Sequence, residues 1–289
     1  MASTRQLKGR IRSVKNTKQI TKAMQMVAAS KMRRAQDATK ASSDYTRSAQ
    51  ELLTHLAAQG ATNGHPLFTD RPVKSRLLIV IAADKGLAGA YNTNVMKAYI
   101  QSLKSDDKEG VRNMTISVGR KASQFVSRIK DTEVIGTYND LPDHPEGSEF
   151  YAILSTACDK FVEGTVDAVD VIFTRFVSSM TQTAEVQRIL PAGFSAETVS
   201  EFVRDATYEP SVSVVLEGVA RRMVGAQLFQ ALLDARASEH SMRMLAMKNA
   251  TDNATELADD LTLEMNKARQ AAITQELAEI SGGAEAMNG

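Results

Sequence analysis

The fold of this chain is decided by residues 210–281, PSVSVVLEGVARRMVGAQLFQALLDARASEHSMRMLAMKNATDNATELADDLTLEMNKARQAAITQELAEIS. No proline follows Pro210, and no glycine lies between Gly225 and the Gly282-Gly283 pair, so nothing in the sequence stops a helix for about seventy residues. At a rise of about 1.5 Å per residue this helix is about 105 Å long, more than the diameter of a compact domain. The stretch therefore predicts a helix that extends beyond the compact part of the protein.

The C-terminal helix carries an apolar seam with a period of about 3.5 residues, which is typical of left-handed coiled coils. The seam residues are Val219, Met223, Ala226, Gln230, Leu233, Ala237, His240, Met244, Met247, Thr251, Ala254, Ala258, Leu261, Met265, Ala268 and Ala272. Only Gln230, His240 and Thr251 interrupt the seam with polar side chains. The seam predicts a partner helix along most of its length, and its many alanines predict a close approach with modest buried area.

Residues 4–57 predict that partner helix, with a length of about 80 Å. Its apolar stripe has the same spacing of three and four residues and consists of Leu7, Ile11, Val14, Thr21, Met24, Ala28, Met32 and Ala35. We expect Ile20 and Val27 to widen this stripe. The helix is expected to end before Gly60 and the Asn63-Gly64 pair.

Between the two helices, the sequence pattern changes to that of a small parallel α/β unit. Strands are predicted at 77–82, 115–118 and 169–176, with a short one at 134–136, helices at 92–103, 121–129 and 149–162, and a terminal hairpin at 173–190. The predicted fold class is α/β, with a long antiparallel left-handed coiled coil of N- and C-terminal helices and an inserted Rossmann-like α/β domain. The predicted domains are residues 1–60, 61–209 and 210–289, of which the first and last pair as one shaft.

The two predicted helices differ in length by about 25 Å, or roughly seventeen residues. If both start beside the α/β domain, the excess is a C-terminal tip at residues 267–281. The apolar residues of this tip are Ala271, Ala272, Ile273, Leu277, Ala278 and Ile280. An isolated helix with an exposed apolar stripe needs another surface to cover it, so the tip predicts a partner outside the chain. The alternatives are that the N-terminal helix is shifted along the pair or that the tip is frayed.

Residue composition excludes several classes of site. The single cysteine, Cys158, cannot form an internal disulfide, and its apolar helical surroundings predict a buried structural thiol. The four histidines show no metal-ligand spacing, and no apolar run reaches the roughly eighteen residues of a membrane span. The basic N-terminus is similar to a targeting peptide, but its stripe continues through residue 57, so we expect it to belong to the folded protein.

Residues 84–89, DKGLAG, lie between a predicted strand and a predicted helix, where phosphate-binding loops are found. They fit neither common phosphate pattern, because Lys85 precedes the glycine and no Gly-Lys-Ser/Thr follows. A tight strand-to-helix turn explains the glycines without a ligand, and phosphate binding is the alternative.

The net charge is only +1, yet residues 1–36 contain no acidic residue and many basic ones. The basic residues of this stretch are Arg5, Lys8, Arg10, Arg12, Lys15, Lys18, Lys22, Lys31, Arg33 and Arg34. One interpretation is attraction to acidic loops of a protein partner. Another is a solvated face balanced by acids of the C-terminal helix, namely Asp252, Glu256, Asp259, Asp260 and Glu264. Nucleic-acid binding is disfavoured, because such an arm usually mixes in glycine, serine or aromatic residues and keeps no seam.

Four stretches resemble one protein family. Residues 16–32, NTKQITKAMQMVAASKM, resemble the N-terminal signature of the gamma subunit of F-type ATP synthase of the bacterial type. Residues 247–254, MKNATDNA, and 266–277, NKARQAAITQEL, resemble its C-terminal signature. Residues 84–92, DKGLAGAYN, resemble its middle motif, with Ala88 where many members carry cysteine.

The resemblance implies a non-catalytic rotor shaft of the proton-translocating F1Fo ATP synthase, which couples c-ring rotation to conformational cycling of the catalytic β subunits. It implies one copy per complex, with the α3β3 hexamer, the epsilon subunit and the c-ring as partners. It implies no cofactor, since nucleotides bind the α and β subunits, and no nucleic acid. The implied location is the cytoplasmic face of the bacterial inner membrane, as a peripheral protein held through Fo.

The resemblance also assigns residues. Met24, Arg269, Gln270, Thr274 and Glu276 match positions that contact the β subunits. The tip residues Ile273, Leu277 and Ile280 match the part that turns in an apolar bearing. Tyr208 and Glu209 match the foot that contacts polar loops of the c-ring.

Two other functions remain as alternatives from the residues alone. The chain could be a static coiled-coil scaffold, which cross-linking of the tip distinguishes from a rotor. It could also be a small α/β enzyme with helical arms that acts on a phosphorylated ligand, in which case saturable nucleotide binding near Lys85 is expected.

Overall fold

The computed structural model describes residues 4–58, 64–130, 132–142, 147–193 and 211–288. It divides into two compact units, one of residues 1–28 with 244–289 and the other of residues 29–243. Two long helices belong to both units: α1, Thr4–Ala58, has 55 residues and α5, Val212–Asn288, has 77. The two predicted long helices are therefore confirmed.

In the smaller unit, α1 and α5 pack as an antiparallel pair. Leu7, Ile11 and Leu261 are buried together, and Val14, Met265 and Ala268 pack against them. Further along the pair, the Thr251 Oγ1 donates a hydrogen bond of 2.8 Å to the Thr21 Oγ1. Residue numbers rise along α1 while those of their α5 partners fall, so the predicted antiparallel packing is confirmed. The seam residue Thr251 is satisfied across the pair, and a buried polar pair of this kind helps to fix the register.

Two residues of the predicted α1 stripe lie outside the buried seam. Ile20 is 60% exposed and Val27 is 59% exposed, whereas Thr21 and Ala28 beside them are buried. The expectation that Ile20 and Val27 widen the buried stripe is therefore wrong. A single partner helix covers only a narrow seam of side chains, so a residue one position away is turned about 100° from the partner.

The α/β domain lies in the larger unit and follows the predicted alternation. Its elements are β1 (Ser75–Ile81), α2 (Tyr91–Glu109), β2 (Arg112–Val118), α3 (Arg120–Val126), β3 (Glu133–Tyr138), α4 (Ser148–Val162), β4 (Ala168–Phe176) and β5 (Gln182–Leu190). The strand order in the sheet is β3-β2-β1-β4-β5, with β5 antiparallel to β4 and the other pairs parallel. The chain thus proceeds outward from β1 to β3 and then returns to the other side of β1.

Helices cover both faces of the sheet. On one face α2 and α3 bury Leu78, Val80 and Ile172 of the central strands. On the other face α4 and residues 220–235 of α5 bury Leu77, Ile79 and Val171. Continuous burial of both faces explains why residues 77–81 of β1 form an unbroken apolar run. The long helix is therefore also a structural layer of the α/β domain.

Cys158 lies on α4 inside this second apolar layer. Its side chain is fully buried, as predicted for a structural thiol, and burial raises the pKa of the thiol to about 11. At neutral pH the thiol is therefore protonated and a poor nucleophile.

Helix ends differ most from the sequence-based expectations. Helix α3 ends at Val126 rather than Ile129, because the next amides bond three residues back, Arg128 to Phe125 and Ile129 to Val126. Helix α5 continues through Gly282 and Gly283 to Asn288. Glycine weakens a helix by only about 1 kcal/mol relative to alanine, and no proline follows to interrupt it.

One buried carboxyl of α5 predicts a pH-dependent stability. Asp234 is 8% exposed, and its Oδ1 accepts a 3.2 Å hydrogen bond from Gln230 Nε2. Burial raises the pKa of Asp234 to about 6. Since the pKa in the unfolded chain is about 3.9, folding takes up a proton between those values. The stability contributed by the protonated form is complete below about pH 4 and is lost as the pH rises through about 6.

We therefore expect Asp234→Asn to raise the free energy of unfolding at pH 7 by about 1–3 kcal/mol and to change it little at pH 4. Urea denaturation of both variants at the two pH values measures this difference. Asp252→Asn, at an exposed position of the same helix, is the matched control and should change neither value. An equal gain from Asp234→Asn at both pH values would contradict the assigned proton uptake.

Candidate functional site

The C-terminal end of α5 lies outside the helix pair. Every residue from Arg269 to Gly283 is exposed, whereas Leu261 is buried and Ala268 is half-buried. The apolar tip residues Ile273, Leu277 and Ile280 are 48%, 62% and 70% exposed. Their spacing of four and three residues aligns them on one side of the helix. The tip is thus helical and carries an apolar stripe that no described residue covers.

Polar side chains of the predicted contact set surround this stripe. Arg269, Gln270, Thr274 and Glu276 are all exposed. The Thr274 hydroxyl donates 2.9 Å to the carbonyl of Gln270, within the helix itself. Arg269 and Glu276 form no ion pair with any residue in the described ranges. The structure thus brings four predicted contact residues and the apolar stripe together at one helix end.

Met24 lies on α1, where it is half-buried within the predicted stripe. The structure adds an exposed apolar strip nearby, made of Ile20 and Val27, while Met26, 60% exposed, lies on a different side of the helix. Sequence reasoning missed this strip, because Ile20 and Val27 have almost the spacing of the seam itself. A signal that could have found it is the second period of seven residues, one position away from Thr21 and Ala28.

Basic and acidic residues of the smaller unit remain separate. Most basic residues of the acid-free stretch are exposed, and only Lys18 and Lys31 are half-buried. Asp252, Glu256, Asp259, Asp260 and Glu264 are exposed as well, and no direct ion pair joins them to α1 within the described part of the chain. Any electrostatic attraction between the basic residues of α1 and these acidic residues of α5 therefore acts at longer range through solvent.

The predicted foot, Tyr208 and Glu209, lies outside the described residues. Among the described residues, no helix is long and apolar enough to cross a membrane. No group of three or more histidine, cysteine or acidic residues in the described ranges could hold a metal ion.

The loop at residues 84–89 is a structural turn. The Asp84 Oδ1 accepts hydrogen bonds from the backbone N–H groups of Arg120 (3.0 Å) and Asp140 (2.9 Å), which link three neighbouring loops. Leu87 and Gly89 both have positive φ angles, as a tight turn requires. The carbonyls of Lys85 and Gly86 accept hydrogen bonds from Arg243. This geometry supports the turn interpretation of the motif over the phosphate interpretation.

The usual ligand crevice of this fold is filled by α5. In open α/β sheets, ligands bind at the carboxyl ends of the strands where the strand order reverses, which here is between β1 and β4. At that point Met242 packs against Ala83, Ala88 and Tyr91. The Ser238 Oγ donates 3.0 Å to the carbonyl of Thr174 on β4. The long helix thus lies where a small-molecule ligand would otherwise bind.

Comparison with known proteins agrees with these features. A family model described as ATP synthase matches residues 3–287. The ATP synthase gamma chain of Stenotrophomonas maltophilia strain R551-3 is 40% identical over 288 residues, which cover 99% of this chain and 100% of that protein. The ATP synthase gamma chain of Acidithiobacillus ferrooxidans strain ATCC 53993 is 42% identical over 290 residues, which cover 99% of this chain and 100% of that protein.

Solved structures share the fold. A chain of the Euglena gracilis mitochondrial ATP synthase, solved as OSCP/F1/c-ring in rotational state 3, has a TM-score of 0.67 at 20% identity, and the match covers 98% of this chain and 94% of that one. A chain of the Tetrahymena thermophila mitochondrial ATP synthase central stalk and c-ring has a TM-score of 0.60 at 23% identity. That match covers 80% of this chain and 99% of the other. The family predicted from the four sequence motifs is confirmed, and the chain belongs to the ATP synthase gamma chain family.

Proposed function

We propose that this chain is the non-catalytic rotor shaft of a bacterial proton-translocating ATP synthase. Rotation of the shaft couples c-ring rotation to conformational cycling of the catalytic β subunits. A partner can shift a conformational equilibrium only through different contacts with its states. A shaft whose sides differ makes different contacts with each of three β subunits, so each rotary position favours a different set of nucleotide affinities.

The observation that carries this proposal is the exposed apolar stripe at the tip of α5. Ile273, Leu277 and Ile280 are each about half exposed or more, at the end of a helix of 77 residues. Isolated apolar stripes of this kind are unstable in water unless another surface covers them. An apolar sleeve formed by an α3β3 hexamer covers such a stripe and also permits rotation, because apolar contact is not directional.

The remaining partners follow from the same proposal. Arg269, Gln270, Thr274 and Glu276 contact loops of the β subunits, and Met24 with the basic face of α1 meets their acidic regions. Tyr208 and Glu209 contact the c-ring, and the epsilon subunit binds the same central stalk. Nucleotides bind the α and β subunits, so the chain itself needs no cofactor. Attachment through the c-ring makes the protein peripheral at the cytoplasmic face of the inner membrane.

The test is rotation in a reconstituted complex. The chain is assembled with bacterial α and β subunits, and a bead is attached to the α/β domain through a cysteine introduced at Lys108, which is exposed at the end of α2. The native Cys158 is buried and should not compete for the label. We expect ATP to drive stepwise rotation of the bead in one direction.

A cross-link distinguishes a rotor from a static scaffold. A disulfide between a cysteine at Leu277 and one β subunit should stop multisite ATP turnover, and reduction should restore it. Turnover and proton pumping that continue with the link intact would contradict the proposal. The enzyme alternative is tested by nucleotide titration of the isolated chain, where saturable binding near Lys85 would support it.

A further inference from the structure

Two turns of α5, residues 236–243, are bonded to the carboxyl edge of the sheet. Their side chains reach three separate segments: the loop after β1, the loop after β3, and the end of β4 with its hairpin. The bonds run from Arg236 Nη2 to Leu141 O (2.6 Å), Ser238 Oγ to Thr174 O (3.0 Å), Ser241 Oγ to Ser179 O (2.7 Å), and Arg243 Nη2 to Lys85 O (3.2 Å) and Gly86 O (3.3 Å). In each bond a helix side chain donates to a backbone carbonyl.

A buried carboxylate holds the two arginines in place. Glu239 is 4% exposed; one of its oxygens accepts a hydrogen bond from Arg236 Nη1 at 3.3 Å, and the other forms an ion pair with Arg243 Nη1 at 2.8 Å. Asp84 lies 3.6 Å from Arg236 Nη2 and also bonds two backbone amides of the neighbouring loops. Both guanidinium groups are thus fixed by charged partners while they bind the carbonyls. The larger compact unit ends at Arg243, the last residue of this group.

The contact of α5 with the face of the sheet has a different character. There the helix contributes small and branched apolar residues, namely Ala220, Val224, Leu228, Ala231, Leu232 and Ala235. Apolar packing resists separation of the surfaces, but the hydrophobic effect that drives it is not directional. Hydrogen bonds are directional. A rotation of about 10° moves an atom at a radius of about 5 Å by about 0.9 Å, which breaks a bond of normal length.

We propose that Arg236, Ser238, Glu239, Ser241 and Arg243 form a joint that locks α5 against rotation relative to the α/β domain. The joint deepens the proposed function and rests on it, since a shaft must transmit torque between the domain and the helix. These five are positioning residues, since all their contacts named above are within this chain and they act by making helix and domain one torsionally stiff body.

The first test needs no partner subunits. Spin labels at Lys108→Cys on α2 and Arg222→Cys on α5, both exposed positions, report the distance between domain and helix in the full chain. The test variant is Ser238→Ala with Ser241→Ala and Arg243→Met, which leaves Glu239 paired with Arg236. We expect the width of the distance distribution to increase by about half, because directional bonds to two of the three segments are removed.

The matched control is Val224→Ala, which removes buried apolar volume from the same helix without touching the joint. It should lower the melting temperature without broadening the distance distribution. An equal width in the test variant and the control would overturn the joint. If the triple variant does not fold, Ser238→Ala with Ser241→Ala, which removes no charge, carries the same test with a smaller expected broadening.

The second test uses the assembled complex. During the pauses in which the complex awaits ATP, the angular variance of a bead on Lys108→Cys should increase about twofold in the triple variant, because variance is inverse to torsional stiffness. Unloaded ATP hydrolysis should stay within about twofold of the unmodified complex, since the substitutions loosen a contact inside the shaft and leave the tip residues unchanged. Unchanged variance would overturn the torque role. A bead that never rotates on the chain with Lys108→Cys alone would instead contradict the proposed function, and the distance measurement would still decide whether the joint exists.

Discussion

Replacement of Ile273 and Leu277 by aspartate should weaken assembly with the α3β3 hexamer by at least about 100-fold, which corresponds to about 2.7 kcal/mol. Each substitution removes apolar area that the sleeve would bury and places a carboxylate in an apolar surface, and each effect costs on the order of kilocalories per mole. Titration of labelled chain into α3β3 measures the affinity. ATP hydrolysis by the mixture should also be slower at subunit concentrations where incomplete assembly of the complex limits the rate.

The same double substitution should leave the isolated chain almost unchanged. Both side chains are already about half exposed or more, and exposed substitutions usually change the free energy of unfolding by about 0.5 kcal/mol or less. Val134→Asp, at a position 42% exposed on the edge strand β3, is the control for an added charge and should affect neither measurement strongly. If stability and assembly fall together after the tip substitutions, the tip is packed within the chain and the sleeve is not needed.

The helix pair is predictable from sequence because its signal is local and repeated. A seam that recurs over many turns averages out single exceptions such as Thr251, and the structure supplies that residue with a cross-pair partner, Thr21. The prediction that Ile20 and Val27 widen the buried stripe of α1 is wrong for a physical reason. Periodicity identifies an apolar side of the helix, but the number of partner helices determines how wide a side is covered.

Element boundaries are less predictable, because they depend on a few hydrogen bonds. Helix α2 continues to Glu109 through a polar segment and ends at Gly110, which has a positive φ of 70°. The expected end at Leu103 is wrong, because the apolar pattern stops there while the helix itself does not. A helix exposed on one side can continue without apolar residues until a residue with left-handed backbone ends it.

The tip is predictable from the unequal lengths of the two helices, provided that both begin beside the α/β domain. The joint is not predictable in the same way. Arg236, Glu239 and Arg243 read in sequence as ordinary charges on a helix. The two arginines donate to backbone carbonyls, Arg236 to that of Leu141, 95 residues away, and Arg243 to that of Gly86, 157 residues away. A carbonyl carries no sequence signal, so only the fold can bring these groups together.

Gly119→Ala should destabilise the α/β domain more than any exposed substitution, by roughly 3–5 kcal/mol. Gly119 has a φ of +90°, and a Cβ atom there would lie 2.1 Å from the carbonyl oxygen of Ala82. The backbone cannot move aside easily, because the Gly119 N–H donates 2.7 Å to Tyr138 O and the Ala82 N–H donates 2.9 Å to Val118 O. Urea denaturation followed by circular dichroism measures the loss.

Gly110→Ala separates backbone strain from the steric clash at Gly119. Gly110 also has a positive φ, +70°, but beyond Gly110 and its two chain neighbours no atom lies within 4 Å of the position of its added Cβ. Left-handed backbone alone costs an alanine about 1–2 kcal/mol, so this control should lose only that amount. The difference in free energy of unfolding between Gly119→Ala and Gly110→Ala therefore measures the steric clash with Ala82, where β1 and β2 end side by side. Equal losses in the two variants would mean that the strands separate enough to admit a methyl group, and the close packing of these strand ends would then not be a rigid feature of the domain.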